Sequence, residues 1–105
     1  MPVKIQDSGT IGIVQKVLIN VLAYADTDDI TARQLAVLCS IAMVESWTVR
    51  DLAAALGLAR PAISRAADAW EEMGFIERQD DPEDRRSVLL VITETGKRYV
   101  NTLTR

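Results

Sequence analysis

Apolar residues recur along most of the chain at helical spacing, and two short stretches read instead as strands. Residues 10–25 (TIGIVQKVLINVLAYA) form the most apolar helical segment. At about 100° per residue, Ile11, Val14, Leu18, Val21, Leu22 and Ala25 share one face, and Ile13, Val17 and Tyr24 widen it. Gln15, Lys16 and Asn20 are its main polar positions. Residues 1–8 carry no such period and are expected to be loose or extended. Asp26-Thr27-Asp28-Asp29 interrupts the pattern. Thr31 and Gln34 then stand at capping-box spacing ahead of Leu35, Leu38, Cys39 and Ala42, which predicts a second helix ending within residues 43–46. A third helix, residues 49–56, opens on Thr48 and Asp51 and stops at Gly57. The fourth, residues 61–73, starts at Pro61 and closes at Gly74, with Ile63, Ala66, Ala67, Trp70 and Met73 as its inward stripe.

The turn between the third and fourth helices is short, which holds them at a steep angle so that the fourth projects while the third braces it. Residues 75–78 and 87–92 are rich in β-branched and large apolar side chains and predict a hairpin with a long tip. A short last helix, residues 94–104, has one apolar stripe of Tyr99, Val100 and Leu103. The predicted fold class is therefore mainly α with a small β hairpin: helix, helix, helix-turn-helix, wing, short helix. Residues 1–105 are expected to form a single winged-helix DNA-binding domain. The apolar arc of the first helix exceeds what one core needs, and the simplest second surface is another copy of the chain across a two-fold axis. Residues 10–25 and 94–104 are thus the expected dimerisation helices, with Ile13, Val17, Tyr24, Tyr99 and Leu103 at the interface.

At 105 residues and 49% hydrophobic composition, the chain can build a core without disulfides. No apolar run is long enough to cross a bilayer and the first ten residues lack signal-peptide character, so a cytoplasmic address and no membrane partner are expected. A single cysteine and no histidine leave neither a zinc set nor a nucleophile-and-base pair. No cofactor, no metal and no enzyme activity are expected. Cys39 lies on an apolar stripe and reads as a core residue. Trp47, Met43 and Tyr24 read as core packing, with pocket lining as the alternative.

The net charge of −3 speaks against a surface coated in positive charge, so the question becomes where the charges sit. On the fourth helix, Arg60, Ser64 and Arg65 lie near the start and Asp68, Glu71 and Glu72 towards the end. A helix whose N-terminal half meets DNA would carry that order. Neither Ala59 nor Arg60 offers a capping oxygen, which leaves the helix start open to a phosphate. The hairpin tip combines Asp80, Asp81, Glu83 and Asp84 with Arg85 and Arg86. Its composition reads equally as a soluble loop or as an arginine presented by a carboxylate to a minor groove.

The local wording carries a resemblance. Thr31-Ala32-Arg33-Gln34-Leu35-Ala36-Val37-Leu38, Val49-Arg50-Asp51-Leu52-Ala53, Leu58-Ala59-Arg60-Pro61-Ala62-Ile63-Ser64-Arg65, Asp68, Glu71-Glu72-Met73-Gly74-Phe75-Ile76, Asp80-Asp81-Pro82-Glu83-Asp84-Arg85-Arg86 and Ile92-Thr93-Glu94-Thr95-Gly96 occur in an order and spacing that resembles the MarR family of bacterial winged-helix transcription regulators. The resemblance implies that Pro61, Ala62, Ser64 and Arg65 face the major groove. It also implies that Asp84 orients Arg86 into the minor groove, that the chain is a homodimer on pseudo-palindromic double-stranded DNA, and that a small aromatic effector could release it. Family members carry a longer C-terminal helical segment than this one. The leading reading is a DNA-binding transcription regulator with phosphate contacts from Arg50 and Arg60. The alternative, motivated by the acidic balance, is a winged-helix protein-protein interaction module with little DNA binding.

Overall fold

Local hydrogen bonds legible in the sequence set the helix starts. The computed structural model describes residues 1–23 and 30–105, in the order α1 (Ser8–Ala23), α2 (Ala32–Met43), β1 (Trp47–Thr48), α3 (Val49–Leu56), α4 (Arg60–Glu72), β2 (Ile76–Asp80), β3 (Val88–Ile92) and α5 (Glu94–Leu103). Gln34 N–H donates to Thr31 Oγ1 at 3.1 Å while Thr31 N–H donates to Gln34 Oε1 at 2.9 Å, a complete capping box. Thr48 caps α3 by accepting the Asp51 amide at 3.0 Å, and Gly57 ends it at φ 65°, where a Cβ would be strained. The α1 helix starts earlier than expected because Asp7 accepts the Thr10 amide at 3.1 Å, drawing Ser8 into the first turn.

The expected two-stranded hairpin is part of a three-stranded antiparallel sheet, ordered β1-β3-β2. Trp47 pairs with Leu90 and Thr48 with Leu89, while β2 and β3 pair from Ile76↔Ile92 to Asp80↔Val88. Two residues are too few to show a strand period, so β1 left no pattern to read. Its pairing ties the start of α3 to the base of the wing. The Trp47 indole N–H is satisfied by the Ser40 carbonyl at 2.9 Å, and Trp47 packs half-buried against the core. Met43 takes no part in packing and is 84% exposed.

Trp70 is the hub of the core. It is buried, its Nε1–H donates to the Gln34 carbonyl at 2.8 Å, and its ring lies 5.8 Å from Phe75 and 5.9 Å from Tyr99. Phe75 and Tyr99 stack at 4.5 Å. One aromatic cluster thereby joins α4, α2, the entry to β2 and α5. This corrects the assignment of Tyr99 and Leu103 to a dimer interface, because both are 5% exposed or less and pack inside their own chain. A stripe on a short amphipathic helix needs only one cover, and here the chain supplies it.

The inward face of α1 also differs from expectation. Val17, Asn20 and Val21 meet the core, with only Val21 buried, while Ile11, Ile13, Val14, Leu18, Ile19 and Leu22 are exposed. The polar Asn20 faces inward because its side-chain amide donates at 3.0 Å to the Leu103 carbonyl, one of those left without a helical partner in the last turn of α5. Tyr24 lies outside the described residues.

Gly96 sits where an added Cβ would come 2.0 Å from the Phe75 carbonyl oxygen, whereas nothing lies within 4 Å of such an atom at Gly12. In urea unfolding, Gly96→Ala is expected to destabilise by at least about 1–3 kcal/mol, and Gly12→Ala to stabilise by about 0.5–1 kcal/mol. Burial pushes the Cys39 thiol above its ordinary value. Less thiolate is therefore present near neutral pH, and a disulfide reagent should modify the native chain more slowly than the urea-unfolded one at the same pH.

Candidate nucleic-acid interface

The short turn from Gly57 to Ala59 sets α4 across α3, and β1 pins the wing beside them. Between these parts lies an open concavity of about 510 Å³ lined by Arg50, Arg60, Ser64, Asp84, Arg86 and Ser87, with Thr48, Val49 and Val88 completing it. Arg50 comes from the first turn of α3, Arg60 and Ser64 from the first half of α4, and Arg86 from the wing tip. Among the described residues, none of these three arginines forms an ion pair, so their guanidinium groups remain available. Among the described residues, no side chain caps α4. The Ala62 and Ile63 amides both turn back to the Ala59 carbonyl, at 3.0 and 3.3 Å, and Pro61 has no N–H to offer.

Two acids of α4, Asp68 and Glu71, are engaged by an arginine of their own chain. Arg78, in β2, donates to Asp68 Oδ1 at 2.8 Å, to Glu71 Oε1 at 2.7 Å and to the Ser64 carbonyl at 3.2 Å, and its amide donates to Glu71 Oε2 at 3.3 Å. This clamp binds the wing strand to the helix and sets a cation beside two carboxylates that would otherwise repel a polyanion. Sequence reasoning missed it. Arg78 read only as a strand residue, and no local spacing announces a contact reaching back seven and ten residues across the Gly74 turn.

The carboxylates of the wing tip shape the tip. Asp81 Oδ1 accepts the Glu83 amide and Asp84 Oδ1 the Arg86 amide, both at 2.9 Å, while the Ser87 amide reaches the Asp84 carbonyl at 3.0 Å. Such side-chain turns are what short acids do in loops. The pairing implied for Asp84 and Arg86 thus takes another form: the carboxylate holds the backbone of Arg86 and leaves its guanidinium free.

The structure brings Arg50, Arg60, Ser64, Asp84 and Arg86 together and leaves Pro61 exposed beside them. Two expected positions depart. Ala62 is buried at 9% exposure and lies on the flank of α4 turned towards Arg33, away from the Arg60–Arg86 concavity. Arg65 is exposed but does not line the concavity. One residue beyond Ser64, it lies about 100° further around the helix and faces Arg33 instead. Among the described residues, no three histidine, cysteine or acidic side chains are placed to hold a metal ion. No helix there is long and apolar enough to cross a membrane.

The MarR family model matches residues 30–88, which span α2 through the start of β3. The chain belongs to the MarR family. Multiple antibiotic resistance protein MarR of Salmonella typhimurium is 38% identical over 73 residues, covering 70% of the chain and 51% of that protein. The chain therefore spans about half the length of this MarR relative. A mutant MarR from E. coli complexed with operator DNA superposes with a TM-score of 0.69 at 31% identity, over 94% of the chain and 71% of the other. The S. aureus MepR–DNA complex gives 0.74 at 25% identity, over 90% and 75%. The winged helix-turn-helix fold of MarR proteins is the architecture described above.

If Arg78 clamps the wing to α4, Arg78→Met should lower stability by roughly 1–2 kcal/mol in urea unfolding, since it also strands the Ser64 carbonyl. Asp68→Asn should change it by less than about 0.5 kcal/mol, because that carboxylate is 70% exposed and screened by water. Equal effects from the two substitutions would contradict the clamp.

Proposed function

We propose that the chain is a DNA-binding transcription regulator that acts as a homodimer, with α4 in the major groove and the wing tip at the neighbouring minor groove. The observation that carries this reading is the convergence of Arg50, Arg60, Ser64 and Arg86 on one concavity while Arg78 holds the nearby acids. An α-helix about 10–12 Å across matches a groove about 12 Å wide. Arg50 and Arg60 contact phosphates, Ser64 reaches a base edge and Arg86 enters the minor groove. The operator and DNA complexes of related proteins support the same partner. The negative net charge that motivated a protein-interaction module is compatible with this reading, because Asp68 and Glu71 of α4 are paired with Arg78, and Asp81 and Asp84 of the wing tip each accept a backbone amide.

A second copy of the chain covers the exposed stripe of α1, Ile11, Val14, Leu18 and Leu22, which follows helical spacing on a helix whose other side meets α5. Of the other residues expected at the interface, Ile13 is exposed but lies around the helix from this stripe, and Val17 is partly covered against the core. In this reading α1 is the dimerisation helix and the remaining elements form the DNA-binding unit. Both described concavities are lined by arginines and small or polar groups rather than aromatic rings, so an aromatic effector is no part of the proposal.

Mobility of duplex DNA from upstream of the chain's own gene tests the DNA reading. Arg60→Ala with Arg86→Ala is expected to weaken binding by about 1–3 kcal/mol or more. Binding by the double variant equal to wild type, or no wild-type binding at low salt, would overturn it. Light scattering tests the dimer: the wild type should show about twice the 11.6 kDa chain mass, and Leu18→Asp the mass of a single chain.

A further inference from the structure

Arg33 and Arg65 line a second open concavity, of about 240 Å³, on a different flank of α4 from the one that holds Arg60 and Arg86. Its other walls are Thr31, Gln34, Ala62 and Ala66. The Thr31 hydroxyl oxygen and the Gln34 side-chain Oε1 accept the bonds of the α2 capping box, and the two alanines contribute only small apolar groups. The two guanidinium groups are therefore the principal charged chemistry of this site, and among the described residues neither forms an ion pair. Both side chains are exposed, and they come from different helices, so the fold itself brings the two charges to one place.

A helix lying in the major groove has a sugar-phosphate backbone on each side, because the groove is about 12 Å wide and the helix nearly fills it. Arginines on opposite flanks of that helix must then meet different strands. We infer that Arg33, acting with Arg65, binds a phosphate on the strand opposite to the one contacted by Arg50 and Arg60, so that α4 is gripped from both sides. The inference rests on the DNA-binding reading above. Arg33 suits the task because a guanidinium can donate two parallel hydrogen bonds to phosphate oxygens. A contact of this kind positions the protein and carries no sequence preference of its own.

The test uses the full chain and its upstream duplex. Arg33→Ala is expected to weaken binding roughly three- to tenfold near 0.1 M salt, equally on cognate and unrelated duplexes, and to make the log–log salt slope shallower by about 1. Arg33→Lys should retain most of the affinity. Circular dichroism should show both variants folded, since Arg33 is exposed. Replacing single phosphates by neutral methylphosphonates should then reveal one position to which Arg33→Ala has become indifferent. That position should lie on the strand opposite to the one that Arg60→Ala reveals. Wild-type affinity and slope for Arg33→Ala, with Arg60→Ala weakened, would overturn the inference alone, as would finding both positions on one strand. A wild-type chain that binds no duplex would overturn the DNA reading and this inference with it.

Discussion

A single arginine in the first wing strand couples the geometry of this protein to its electrostatics. Arg78 reaches Asp68, Glu71 and the Ser64 carbonyl at once, so β2 and α4 are joined along the length of helix that precedes the wing. The angle between helix and hairpin then follows from a bonded network as well as from packing. The same bonds answer the difficulty raised by an anionic chain: two carboxylates within two turns of Ser64 face a cation of their own molecule. Arg50, Arg60 and Arg86 form no such pairs among the described residues. Charge is sorted by which groups the fold engages and which it leaves open.

Packing beneath α4 makes that sorting possible. Ala66 and Ala67 let the helix approach its neighbours closely, and Ile63 and Trp70 fill what remains. Trp70 then anchors the helix to α2 through the Gln34 carbonyl and to α5 through Tyr99. A rigid support of this kind suits the proposed function, because a helix that rocks in a groove loses the positional precision on which base contacts depend. The sheet adds a second brace, with β1 carrying the pull of the wing to the start of α3.

Features governed by neighbours three or four residues away were legible in the sequence. Thr31 with Gln34, Thr48 with Asp51, and Gly57 at positive φ act through hydrogen bonds within one turn, so the helix-turn-helix could be read with little error. Features that depend on which surface covers which were not. The first helix is apolar around most of its circumference, so its period could not say that Asn20 faces the core. For Tyr99 and Leu103, an amphipathic stripe announces burial without naming the covering surface, and the chain itself supplied it. Ala62 and Arg65 were displaced for a simpler reason: adjacent residues on a helix diverge by about 100°, so a run of four cannot all face one groove. Arg78 and β1 arise from contacts between segments distant in sequence, where spacing carries no signal.

The central claim is that a chain of net charge −3 presents enough unpaired arginine on one side to hold a polyanion. The dependence of duplex affinity on salt measures this most directly, because each neutralised phosphate releases a counterion. With Arg50 and Arg60 each on a phosphate and Arg33 and Arg65 sharing a third, log affinity should fall with log salt at a slope of about −3 per protomer. A slope near zero would contradict the account.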